Sequence, residues 1–194
     1  MSIQLKKENV LNAYKNATNE EKHFLEHLFG SEIFKPKDIR ERITTFEEAL
    51  DELEFRSDNG DEYAGSLCND WHNVTTNSND VIAFLKLRII TEALNEGWRA
   101  QFVKDERRWY PYFRLYTKEE IEKMDNEIKA RVVARSYDYA NANGGVSYAS
   151  ADYDSACVYA SSGSRLAFKT AELAEYAGKQ FIEIYADFCF IPKK

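Results

Sequence analysis

Residues 80–116, DVIAFLKLRIITEALNEGWRAQFVKDERRWYPYFRLY, hold the reading on which the fold turns. Ile82, Phe84, Leu85, Ile89, Ile90, Ala93 and Leu94 recur at helical spacing and cover more than one stripe. A helix that is apolar on several sides is buried on several sides, so the stretch predicts a central helix opened by Asp80 and ended by Gly97. Lys86 and Arg88 interrupt it, and it is too short to cross a bilayer. After Gly97 the texture changes. WYPYFRLY (109–116) is aromatic and alternating, which predicts a strand. Pro111 has no N–H to give to a ladder, so this strand sits at an edge or carries a bulge.

Upstream, the chain reads as short helices. Val10, Leu11, Tyr14 and Ala17 fall at helical spacing within 7–17. Thr18-Asn19-Glu20-Glu21 has the form of a capping box, in which hydroxyl and carboxylate each satisfy an orphan N–H. It opens a helix with Phe24, Leu25, Leu28 and Phe29 on its buried side and Gly30 at its end. Pro36 suits the first turn of a short helix through Ile39 and Ile43. A second box, Thr45-Phe46-Glu47-Glu48, heads a helix burying Phe46, Ala49, Leu50 and Leu53. Residues 54–80 are rich in turn formers and predict a long connector.

Downstream, Thr117 and Glu120 form a third box, heading a polar surface helix seamed by Ile121, Met124 and Ile128. Segments 131–139, 156–161 and 165–169 predict strands, with a turn at Asn143-Gly144-Gly145. A last helix, capped by Thr170, aligns Leu173, Tyr176, Ala177, Phe181, Ile184, Tyr185 and Phe188. Helices first and strands after predict an α+β fold. A helical region over 1–96 packs with an antiparallel sheet over 97–194 and a closing amphipathic helix, the two regions sharing one core.

The composition excludes some functions. The 194 residues carry a net charge of -7, which argues against a surface that binds duplex nucleic acid as a whole. Three cysteines, far apart, support neither a disulfide framework nor a CxxC metal site. The N-terminal ten residues have no apolar core of the secretory kind. A cytoplasmic protein with no membrane association is the expectation.

Four blocks carry a resemblance: ENVLNAYKNA…FLEHLFGSEIFKPKDIRERITTFEEAL, IITEALNEGW, WYPYF and GSRLAFKTAELAEYAGKQFIEIYADF. In this order they resemble uncharacterised proteins encoded in phages and prophage-like elements of gut anaerobic bacteria. The resemblance covers most of the chain and implies a genetic setting. It implies no activity and no catalytic residues.

Three features bear on function. His23, Glu26 and His27 match HxxEH, in which two histidines one turn apart chelate zinc and the glutamate acts as base. Glu92 or Glu96 would have to supply the third ligand. The same residues also suit the polar side of an ordinary surface helix, and no metal or cofactor is expected. The second feature is the segment 98–118. It gathers Trp98, Phe102, Trp109, Tyr110, Tyr112, Phe113 and Tyr116 with Arg99, Lys104, Arg107, Arg108, Arg114 and Lys118, against only Asp105 and Glu106. Interleaved aromatics and arginines suit stacking on single-stranded bases. Strand alternation, with aromatics inward and arginines outward, explains the same spacing.

The third is 136–164, which contains no Lys, Arg or Glu and is punctuated by Tyr137, Tyr139, Tyr148, Tyr153 and Tyr159 among Ser, Ala, Asn, Gly and Asp. Such a composition serves binding loops, because rigid rings supply area and small polar neighbours adapt. A plain hairpin with tyrosines packed across strands accounts for it equally. The expected function is non-catalytic binding of another macromolecule, a protein. The expected surface comprises Arg107, Arg108, Trp109, Tyr110, Tyr112, Arg114, Tyr137, Tyr139, Tyr148 and Tyr153. A single-stranded nucleic-acid binder and a zinc hydrolase at the HxxEH pattern stand as alternatives.

Overall fold

The computed structural model describes residues 5–30, 33–34, 38–101, 103–134, 144–157 and 163–190. Pro36, Phe102, Tyr137, Tyr139, Asn143 and Tyr159 lie outside the described residues, as does 135–139 of the strand expected at 131–139. The chain divides into two compact units, Met1–Arg42 and Ile43–Lys194.

The first unit comprises α1 (Lys7–Lys15), α2 (Asn19–Phe29) and α3 (Ile39–Arg42). The Thr18–Glu21 capping box forms as expected. Tyr14 stacks on Phe34 with ring centroids 4.1 Å apart, and its hydroxyl donates to Glu26. The side of α2 expected to be buried is not. Phe24 is 66% exposed, Leu28 is 59% exposed, and no residue of α2 is fully buried. Helical spacing of apolar residues shows that they share a face, and tertiary packing decides whether that face is covered.

In the second unit, α4 (Phe46–Asp58), α5 (Glu62–His72) and α6 (Asn79–Leu94) pack together. The Thr45–Glu48 box opens α4, whose Phe46, Ala49 and Leu53 are buried. The connector expected over 54–80 is corrected by α5: the Asp61 carboxylate caps it by accepting from the Ala64 N–H at 3.1 Å. Its inner residues, Ala64, Leu67, Cys68 and Trp71, have helical spacing, obscured by the turn formers on either side. Trp71 meets the Phe46 ring edge-on at 4.7 Å, and the Lys86 ammonium lies over both rings. α6 is the central helix. Ala83, Leu87, Ile89, Ile90, Ala93 and Leu94 are buried, together with Thr91 and Glu92. Its N-cap is Ser78 rather than Asp80, which lies inside the first turn.

The sheet has the order β1-β3-β2 and is antiparallel, with β1 Arg108–Tyr116, β2 Val133–Ala134 and β3 Gly145–Asp154. The partner of β1 is 145–154. The strand expected at 156–161 is not found in its described residues: Ala156 and Cys157 are outside any strand, and 158–161 are not described. Of 165–169, only Phe168 takes part, in an isolated bridge to Trp109. Both Trp109 N–H and C=O bond outward to Phe168, so Pro111, two residues on, turns its missing donor outward and the ladder ends there. Pro111 marks an edge, as its chemistry requires. A bulge follows between Tyr112 and Phe113.

That bulge shifts the register so that Phe113 faces Tyr148 while Tyr112 faces Ser150. Val146, Tyr148 and Phe113 thereby reach the helical layer, while Ser150 and Asp152 remain on the other face. Between β1 and β2, the expected polar helix splits at Met124 and Asp125 into α7 (Lys118–Lys123) and α8 (Asn126–Lys129). The closing helix likewise divides at Phe181 into α9 (Ala171–Gln180) and α10 (Ile182–Cys189). α9 packs on β1 and β3, and α10 packs on α6, β2 and β3. A Cβ at Gly178 would stand 2.7 Å from both Pro111 Cβ and Tyr148 Cδ2, so the close approach of α9 to the sheet requires glycine there. The fold is α+β, with the sheet and closing helices at the C-terminal end.

Tyr185 sits at the centre of this packing, its ring 4.9 Å from Phe113, yet its hydroxyl has no hydrogen-bond partner. Burial pushes the phenol far above the ordinary tyrosine range. Tyr185→Phe removes only the unpaired polar atom. It is expected to stabilise the protein by about 1 kcal/mol, read as a higher denaturant midpoint at unchanged slope.

Candidate functional site

The structure sorts the residues expected to bind. Arg108 is 2% exposed. Its guanidinium donates to the Ser155 carbonyl and, at 2.8 Å, to the Cys157 carbonyl, and it lies 3.4 Å from Glu106. It is an internal brace that ties β1 to the segment after β3. Tyr110 is half-buried and donates to the Gly163 carbonyl at 3.2 Å. Tyr148 is half-buried against Gly178 and Phe113, with the Lys179 ammonium over its ring. These three serve the packing.

The others divide between two faces. Trp109 and Tyr153 are register partners, their rings 4.9 Å apart, and the Arg107 guanidinium lies 4.9 Å from the Tyr153 ring. Alternation puts this trio on the same side as Pro111 and Phe113, at the end of the sheet. Tyr112, Arg114 and Tyr116 line the opposite side. There Tyr112 is 39% exposed, the Arg114 guanidinium lies 4.9 Å from the Tyr116 ring, and the Tyr116 hydroxyl bonds Ser147 Oγ at 3.2 Å. At the far end of this row Ile121 of α7 stands against Gly145, the register partner of Tyr116, while Tyr112 and Arg114 are exposed. Leu115 extends the exposed surface at the same end of the strand.

Of the cations expected to face a ligand, Arg99 is also committed, together with Arg56. Arg56 Nη2 donates to Asp61 Oδ2 at 2.5 Å and to Glu92 Oε1 at 2.6 Å, while its Nη1 donates to the Glu92 carbonyl. Arg99 Nη2 reaches Asp61 at 2.9 Å and Glu92 at 2.8 Å, with its guanidinium over the Tyr63 ring. The Glu92 side chain is only 7% exposed. Two anions and two cations balance, which is how a charge is held so deep. Burial opposes the Asp61 charge, but hydrogen bonds from Arg56, the Ala64 N–H and Arg99, with the Arg56 charge, outweigh it. They hold the carboxyl well below the usual aspartate range.

Because the folded pKa lies below the unfolded one, the contribution of Asp61 is complete above the ordinary range and drains away as pH falls through it. Asp61→Asn is therefore expected to lower stability at pH 7 and to flatten the decline below about pH 4, checked by urea unfolding at stepped pH.

The chain turns sharply after α6. Glu96 and Gly97 both have positive φ, 51° and 85°. Two such residues in succession reverse the backbone, and the Trp98 N–H returns to the Asn95 carbonyl. Asn95, buried, donates to the Ala167 carbonyl at 2.8 Å and accepts from the Lys169 N–H at 3.0 Å, clipping 164–169 against α6. The result is a cavity of 310 Å³ lined by Tyr63, Thr91, Glu92, Asn95, Trp98, Arg99, Ala100, Ser164, Arg165 and Ala167. Sequence reading had singled out Glu92, Trp98 and Arg99, each for another reason, and missed the cavity. Its walls lie up to about a hundred residues apart, and no spacing announces them.

The HxxEH residues are placed as follows. His23 Nδ1 lies 3.7 Å from Glu26, which also accepts from Tyr14. Of the expected third ligands, Glu92 is held by Arg56 and Arg99, and Glu96 by Lys169 at 2.9 Å. Among the described residues no group of three His, Cys, Asp or Glu side chains is arranged to hold a metal ion. No described helix is long and apolar enough to cross a membrane. Compared with protein-family models, curated proteins and solved structures, the chain matches none.

Proposed function

We propose that this chain is a non-catalytic protein of a phage or mobile element that binds another protein through the open face of its sheet. The observation that supports this reading is the row Tyr112, Arg114, Tyr116 on the face opposite α9 and α10, with Ser147 and Ser150 beside it. Tyrosine and arginine are enriched where proteins meet, because a ring or a planar cation gives much contact area for little lost freedom. The setting follows from the resemblance of the four sequence blocks.

The test is affinity capture from extracts of cells carrying the element, with the wild type and the Tyr112→Ala/Arg114→Ala/Tyr116→Ala variant. A defined protein retained by the first and lost by the second, at equal thermal stability, is the expected result. Identical capture by both removes the open face as the binding surface.

A second reading rests on the Arg107–Tyr153–Trp109 stack, a cation over paired rings of the kind that receives an unpaired base. It predicts salt-dependent binding of single-stranded oligonucleotides that is lost in Arg107→Ala. Absence of binding at low salt ends it.

A further inference from the structure

Beyond Val146 the outer edge of β3 has no strand beside it among the described residues. Trp109 turns its N–H and C=O away from β3 toward Phe168, and alternation turns Phe113 and Leu115 the same way. In an antiparallel ladder the residue opposite such a position also turns its groups away. Val146, Tyr148, Ala151 and Tyr153 therefore present theirs to the side of β2, with Ala149 as the extra residue of the bulge. Val133 of β2 meets Val146. There β2 leaves the sheet, because the Val132 and Arg131 N–H groups bond back to the Lys129 and Ile128 carbonyls and draw the chain into α8. The Tyr153 N–H is taken by the Asp152 carboxylate at 2.8 Å, while the backbone groups of Tyr148 and Ala151 meet no partner among the described residues.

This edge forms the floor of a groove of 990 Å³, to which Ser147, Tyr148 and Ala149 all contribute. Ile182 and Lys179 stand on one wall and Ile128 on the other, with Val133 at the end. A floor of unpaired N–H and C=O groups is complementary in polarity to one thing above all, another extended main chain. The walls rise on both sides, so a single strand enters where the edge of a second folded copy would meet α8 and α9 first. The formal charges around the groove are engaged: Glu175 with Lys179 at 2.5 Å, Arg131 with Glu127 at 2.9 Å, and Glu183 with a partner of its own. The strand that fits is thus uncharged, with apolar side chains at alternate positions for Ile182 and Val133.

We propose that an extended, uncharged segment of another protein docks in this groove and prolongs β2 along β3 from Tyr148 to Tyr153, about 20 Å at the usual rise. The surface is the edge of the sheet, so the proposal does not rest on the reading of its open face.

The probe is a library of random displayed peptides of about ten residues, selected on the full chain, with the selected peptide then synthesised and titrated by calorimetry. The selected peptide is expected to be uncharged, with alternating apolar residues. N-methylation of its main chain at every second residue of the docked stretch is expected to weaken binding about tenfold or more, and at the intervening residues hardly at all. Ala151→Pro removes the N–H that faces the groove and leaves the ladder to β1 intact, as Pro111 does opposite it, and is expected to abolish binding with unchanged far-UV circular dichroism. Tyr112→Ala/Arg114→Ala is expected to keep it, which separates this edge from the open face. Hydrogen exchange needs no variant: in the free chain the Tyr148 and Ala151 amides are expected to exchange faster than those of Ser150 and Asp152, and to become protected when the peptide binds. The proposal is overturned if no selected peptide binds at about 1 mM, if N-methylation shows no two-residue period, or if the Ala151 amide is already protected in the free chain. Self-association that Ala151→Pro abolishes also overturns it, assigning the edge to a second copy.

Discussion

Glu92→Ala is expected to lower the stability of the Ile43–Lys194 unit by about 3–5 kcal/mol, measured by urea unfolding at pH 7. Glu92 lies in the last turns of α6, among the most buried side chains of the core. Its carboxylate is the shared acceptor for Arg56 and Arg99, which come from α4 and from the turn after Gly97. Removing it leaves the Arg56 guanidinium, itself 14% exposed, with Asp61 as its single carboxylate partner among the described residues and a void beside it. An incompletely paired charge inside a protein costs far more than an intact pair contributes, so the loss exceeds that expected from truncating an exposed glutamate. Glu92→Gln keeps the shape and one acceptor oxygen but not the charge, and is expected to lose about half as much. A loss below about 1 kcal/mol for the alanine variant would mean that the network is not the brace described.

Arg108→Ala is expected to cost about 3 kcal/mol, with no effect on binding beyond that of lost stability. Its guanidinium satisfies the Ser155 and Cys157 carbonyls and faces Glu106. Truncation removes the donor that both carbonyls share and empties the buried space the guanidinium fills. Arg114→Ala, six residues further along the same strand, is expected to change stability by no more than about 0.5 kcal/mol, because Arg114 is exposed. The two arginines look alike in sequence. Equal destabilisation by both would contradict the assignment of one as an internal brace and the other as surface.

That pair shows where sequence reading stops. Alternation along WYPYFRLY identified a strand and Pro111 identified an edge, since both follow from local stereochemistry. Which arginine turned inward depended on the carbonyls of Ser155 and Cys157, nearly fifty residues away. The same holds for α5. Its helical spacing was present in Ala64, Leu67, Cys68 and Trp71, yet the surrounding turn formers outweighed it until α4 and α6 provided a surface to bury it. In α2 the error ran the other way, because a shared apolar face was legible and its coverage was not.

By itself, the sequence determined the α+β class, the central helix over 81–94, the capping boxes at Thr18, Thr45 and Thr117, and the edge character of β1. Each rests on contacts within a few residues, where the covalent chain sets the geometry. The tertiary structure alone decided the pairing of 108–116 with 145–154, the bulge that turns Tyr148 inward, and the division of the aromatic residues between two faces. It alone assembled the cavity from Tyr63, Thr91, Trp98 and Arg165. These depend on groups that approach only when distant segments pack, and the free energy that selects them belongs to the assembled core rather than to any local run of residues.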